Sequence, residues 1–135
     1  MLYLSDIRDF IGTLGIADDE NVYSGKMADK VQKSIGVYNL KRSRPPNIPA
    51  GGLKNSSYGI KAVSLLVHWN KSQRETERAA QQLWDTLYSV RHRGINEKKI
   101  LFIMLSYDEP ISVDTDENGI YEYVIECEFY YERND

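Results

Sequence analysis

The sequence predicts a single α+β domain spanning residues 1–135, and three observations predict it. From Tyr121 to Glu132 apolar residues alternate with charged ones, which is the signature of a strand with one covered face. At Ser72 and Glu75 a capping-box pattern opens a segment whose apolar residues recur at helical spacing. The length, 135 residues, suffices for one buried core and not for two. A hydrophobic fraction of 41% and a charged fraction of 27% are ordinary for a globular chain, but ten tyrosines against three phenylalanines are not. Amphipathic aromatics suit strands and interfaces.

In chain order, Ser5 is placed to cap a first helix, with Ile7, Phe10, Ile11 and Leu14 at i, i+3, i+4 and i+7 and Gly15 as its stop. Two short β-like runs follow, Val22 to Gly25 and Ile35 to Leu40, and their proximity suggests a hairpin. Residues 41–57 read KRSRPPNIPAGGLKNSS, with no periodic apolar positions, and are expected to form a long basic loop. A loop of that length in a small domain is uncommon unless functional or flexible, so it is a candidate interaction arm as well as a plain connection. Its two glycines do not make a phosphate-binding loop, because the segment leads into a strand rather than a helix.

The segment Gly59 to Trp69 alternates with both sets of residues substantially apolar, as expected of a strand inside a sheet. From Ser72 a long helix is expected to run to about Arg91. Thr76, Ala80, Leu83, Trp84, Leu87 and Val90 form one side and Arg78, Gln82, Asp85 and Ser89 the other, so that the helix covers the sheet. Arg91 to Lys99 reads as a basic connection, and Ile100 to Leu105 as a buried strand.

Net charge is −3, which argues against a protein whose main task is to neutralise phosphates. The distribution is more telling. Ser24 to Lys61 holds eight basic residues against one acid, and Asp108 to Asp135 holds ten acids against one base. Such a division pairs internally or head to tail between copies. No apolar run approaches the roughly 20 residues that span a bilayer, and the N-terminus lacks signal-peptide features, so a cytosolic site of synthesis and no membrane partner are expected. The single cysteine, Cys127, fits a reducing compartment and, within an alternating apolar face, behaves as a small hydrophobe.

Enzymatic and metal chemistry find little support in the residues. Asp114, Asp116, Asn118 and Gly119 reproduce the opening of an EF-hand loop, but position twelve falls on Ile125 and no helices flank it. A hairpin or loop tip is expected there, with Asp and Asn bonding nearby backbone and Gly at positive φ. His68 and His92 have no ligand-spaced neighbours, so zinc is not expected, and His68 beside Trp69 reads as a packed strand-end residue. Glu126 and Glu128 share a strand face but lack the further carboxylates and lysine of a two-metal nuclease. The cluster Lys41, Arg42 and Arg44 lacks the interleaved aromatics of a single-strand binder. No catalytic, cofactor-binding or metal residues are assigned.

Three segments carry a resemblance: IGVYNLKRS at 35–43, GGLKNSSYGIKAVSLLVHWNKSQRETERAAQQLW at 51–84, and TDENGIYEYVIECEFYYER at 115–133. Together they resemble the phage minor capsid protein family, the small tail-terminator or head-to-tail joining proteins of long-tailed bacteriophages. The resemblance covers the chain from about Asn21 onward and concerns folding segments rather than chemical motifs. It implies an α+β subunit with a mostly antiparallel sheet flanked by a long and a short N-terminal helix. It implies further a homo-oligomeric ring, a hexamer, in the virion neck at the head-proximal end of the tail. There the ring stops tube growth and joins tail tube protein to a head connector or stopper, with DNA passing unbound through the lumen. A chain of this length has a radius of gyration of about 14 Å, so six touching copies leave a channel of roughly 36 Å before loops narrow it. Lys41, Arg42, Arg44 and Lys54 are then candidate contacts to a neighbouring subunit or the tail tube. Glu122, Glu126 and Glu128 are a candidate lumen or partner face. Another connector role, or a small metal-dependent nuclease or nucleic-acid binder, stands as the alternative.

Overall fold

A computed structural model describes residues 1–25, 31–40 and 58–133, which form two helices and a mostly antiparallel seven-stranded sheet. The elements are α1 (Leu4–Gly12), a 3-10 turn (Asp19–Asn21), β1 (Val22–Ser24), β2 (Ser34–Asn39), β3 (Tyr58–His68), α2 (Gln73–Tyr88), β4 (Arg91–Ile95), β5 (Lys98–Leu105), β6 (Ile111–Thr115) and β7 (Tyr121–Glu132). The strands are ordered β1-β2-β3-β7-β5-β4, with β6 also paired to β7.

The sheet is built around β3 and β7, which pair antiparallel over eleven positions from Tyr58↔Glu132 to His68↔Glu122. Period two decides what each face does. Val63, Leu65 and Val67 of β3 and Tyr123, Ile125, Cys127, Phe129 and Tyr131 of β7 are buried in the core. Both helices pack on that face. Phe10 of α1 meets the edge of Phe129 at 6.1 Å between ring centroids, and Leu83 and Leu87 of α2 are fully buried in the same cluster. Each such aliphatic side chain contributes about 1.5–3 kcal/mol by leaving water.

Helix α2 begins where its sequence says it should: the Ser72 hydroxyl accepts a hydrogen bond from the Glu75 amide at 3.2 Å. Thr76, Ala79, Ala80, Leu83 and Leu87 are its buried stripe, with Val90 buried just beyond it. Trp84 lies at the stripe's margin, half-buried rather than inside. Helix α1 departs from expectation at its start. Its N-cap is Tyr3, whose amide donates to Asp6 Oδ2 at 2.8 Å, and Ser5 is an exposed residue of the first turn. The carboxylate three residues into the helix supplies the cap that Ser5 was expected to give. Gly15 adopts φ 77°, a left-handed conformation that leads the chain away after the helix has ended.

Two further expectations are corrected. The runs at Val22 and Ile35 are not a hairpin, because β1 and β2 are parallel, with Val22 beside Ile35. The direction of β2 is set by its antiparallel register with β3, and a 2.7 Å bond from the Lys33 amide to the Trp69 carbonyl seats its start. The segment Arg91 to Lys99 is no mere connection: β4 and β5 form a hairpin around Asn96 and Glu97, at φ 51° and 65°, as a type I′ turn requires. The Asn96 side chain also donates to Asp6 and Asp9 of α1, so the turn closes against the helix.

Candidate interaction surfaces

The second face of the sheet carries no helix among the described residues. On β3 it presents Ile60, Ala62, Ser64 and Leu66, and on β7 Glu122, Val124, Glu126, Glu128 and Tyr130, all half-buried. Tyr38 extends it on β2, and Phe102 and Met104 extend it on β5. Tyr130 stacks on Phe102 at 4.5 Å and lies 5.7 Å from the Tyr58 ring. Glu126 and Glu128 are opposite Ser64 and Ala62, rising from an otherwise largely apolar surface. A half-apolar face with a few charges among its apolar residues has the composition of a protein-binding surface.

A second surface lies at the edge of β5. Strand β4 pairs with β5 only as far as Phe102, and among the described residues no strand covers Ile103 to Leu105 on the side away from β7. Beside that edge is a groove of about 580 Å³ between α2 and the segment after β5, lined by Trp84, Tyr88, Met104 and Tyr107 among others. Trp84 stacks on Tyr88 at 5.3 Å and donates from Nε1 to the Tyr107 carbonyl at 3.1 Å. Tyr88, Met104 and Tyr107 are all more than half exposed. A strand edge that no described strand covers, beside an aromatic groove, is the kind of edge to which an extended segment adds a strand.

At the far end of β3 the fold gathers three titratable groups that the chain separates. The β6–β7 turn folds as expected of a loop tip. Asp116 Oδ1 accepts from the Asn118 and Ile120 amides at 2.8 and 3.0 Å, and Gly119 sits at φ 80°. The unexpected part is the other carboxylate oxygen. Asp116 Oδ2 is 2.9 Å from His68 Nε2, and Glu122 is directly opposite His68 in the β3–β7 register. Burial alone would raise the Asp116 carboxyl, but the His68 bond, the two turn amides and the His68 charge hold it below the usual value. Burial pushes Glu122 up; the His68 charge opposes this and the Asp116 charge adds to it. Sequence spacing hides this cluster, because His68 and Asp116 are 48 residues apart and only strand register unites them.

Among the candidate residues read from the sequence, Glu126 and Glu128 occupy the second face of the sheet, and Glu122 shares that face next to His68. Lys41, Arg42, Arg44 and Lys54 lie outside the described residues. No described helix is long and apolar enough to cross a membrane. The family model for the bacteriophage tail terminator protein matches residues 10–133, nearly the whole chain. No curated protein and no solved structure matches significantly.

Proposed function

The chain belongs to the bacteriophage tail terminator family, and from that premise we propose that it assembles as a closed ring on the head-proximal end of the tail, stops tube growth there and offers the surface on which the head docks. As a family member it is a structural component of the phage tail, working in contact with other tail and head components. The family match carries the tail role, and the half-apolar second face of the sheet supports the ring. That face mixes half-buried apolar residues with carboxylates, a composition suited to burial against a neighbouring copy.

The neighbour's contribution is the basic stretch bearing Lys41, Arg42, Arg44 and Lys54. Its charge complements Glu126 and Glu128, and head-to-tail pairing of unlike surfaces is what generates a ring. The half-buried apolar residues around the two carboxylates favour a subunit contact over a wall facing DNA, which would be more uniformly charged. DNA passes the ring without specific binding. The role involves positioning and sealing, with no reacting group assigned, and places the protein in the virion neck.

Deletion of the gene tests this reading. Lysates of the deletion phage should contain filled heads without tails and free tails of irregular length by electron microscopy, and supply of the protein in trans should restore joined particles. Tails of normal length already joined to heads would overturn it.

A further inference from the structure

We propose that His68, Asp116 and Glu122 form a binding site for one divalent transition-metal ion of the zinc class, which fastens the β6–β7 turn to the end of β3. The three ligand atoms lie within 4.8 Å of one another. Backbone structure brings each of them there. His68 and Glu122 are cross-strand partners, and Asp116 is held by its own turn amides through Oδ1, which leaves Oδ2 to face the imidazole. Two bonds brace the surroundings: Trp69 donates to the Tyr121 carbonyl at 3.2 Å and Tyr121 to the Asn70 carbonyl at 2.9 Å.

Histidine geometry supplies the independent argument. Nδ1 is 2.8 Å from the Val31 carbonyl oxygen, which can only accept, so Nδ1 carries the hydrogen. A neutral ring then directs the bare Nε2 lone pair at a carboxylate oxygen 2.9 Å away. Two acceptors do not hold that distance without positive charge between them, either a proton or a metal ion. A carbonyl that fixes the Nδ1–H tautomer and aims Nε2 outward is the usual support behind a metal-ligating histidine.

Glu122 distinguishes proton from metal. Among the described residues no hydrogen bond or ion pair engages its carboxylate, although it is half-buried and adjacent to Asp116. A proton on His68 satisfies Asp116 and leaves Glu122 as an excess negative charge. A divalent ion satisfies both carboxylates, and with neutral His68 the cluster is then electrically balanced. One imidazole with two carboxylates suits zinc, cobalt or manganese rather than calcium, and three protein ligands leave a position for water.

Titration of chelator-treated protein with zinc and, separately, cobalt tests the site. Calorimetry should show one equivalent bound with proton release, and zinc should raise the melting temperature where magnesium and calcium do not. Glu122→Gln loses no bond of the metal-free fold and removes an uncompensated charge, so its metal-free melting temperature should not fall below the wild type's, while zinc affinity falls by at least about tenfold. Absence of stoichiometric zinc binding by the wild type would reduce the cluster to a His68–Asp116 ion pair. Unchanged affinity in Glu122→Gln would equally overturn the site.

Discussion

Lys98 Nζ lies 2.6 Å from Asp6 Oδ2, joining the β4–β5 hairpin to the first turn of α1 across 92 residues of chain. The same ammonium rests 4.3 Å from the centre of the Tyr3 ring, and Asp6 also caps Tyr3. One buried carboxylate thus serves as helix cap and as anchor for a hairpin.

Asp6→Asn should therefore destabilise the domain by about 2 kcal/mol at neutral pH, the scale of hydrogen bonds to a charged group. Burial opposes ionisation of Asp6, but bonds from Lys98, Asn96 and the Tyr3 amide, with the Lys98 charge, hold its carboxyl below the ordinary 3.8. A depressed folded value means that the unfolded chain binds the proton first. The stabilisation is complete above the ordinary value and is lost as pH falls through the folded one. Urea denaturation at neutral and acid pH should show the gap between wild type and variant close only in acid.

Gly59 faces Tyr131 across β3 and β7, and the tyrosine ring occupies the space where a Cβ on Gly59 would stand. Gly59→Ala should cost about 1–3 kcal/mol through forced displacement of that ring. Repeated in a Tyr131→Ala background, the same substitution should cost far less. Equal penalties in the two backgrounds would mean that the ring does not lie over Gly59.

Leu83→Ala should cost about 3 kcal/mol, as the loss of a fully buried leucine. Trp84→Ala should cost roughly half as much, contrary to its place on the helical stripe, because its ring is half-buried and its partners are Tyr88 and the Tyr107 carbonyl. Exposed Gln82→Ala should stay within about 0.5 kcal/mol. Thermal or chemical melts of the three variants check the order.

Period two along Tyr121 to Tyr131 was readable because a strand with one covered face writes its burial into alternate residues, and the Ser72–Glu75 cap was readable because both its parts are local. Strand β4 was not readable. Its residues Arg91 to Gly94 are exposed, so no apolar period marks it, and its turn uses Asn96 and Glu97 without glycine. The parallel pairing of β1 with β2 follows from which edge of the sheet remains free, a property of the assembled sheet rather than of either segment. The same applies to His68, Asp116 and Glu122. The local sequence marks Asp116 as a turn residue and Glu122 as part of an acidic strand, but their meeting with His68 depends on long-range register.

Reversal of Lys41, Arg42 and Arg44 to Glu should leave the isolated subunit folded, while weakening ring assembly and cutting the yield of joined particles. Adding Glu126→Lys and Glu128→Lys should restore both. Circular dichroism, native mass spectrometry and plaque counts read the three effects. Normal assembly by the triple variant would remove these basic residues from the subunit contact, and failure of the compensating pair would redirect them to another partner.

The neck of the assembled virion offers the plainest measurement. Electron cryomicroscopy of joined particles should place copies of this chain in a closed ring between the last layer of tail tube and the head connector. In that ring the face bearing Glu126 and Glu128 should be covered by the adjacent subunit. Density for the chain elsewhere in the particle, or as isolated copies with that face open to solvent, would contradict the proposed role.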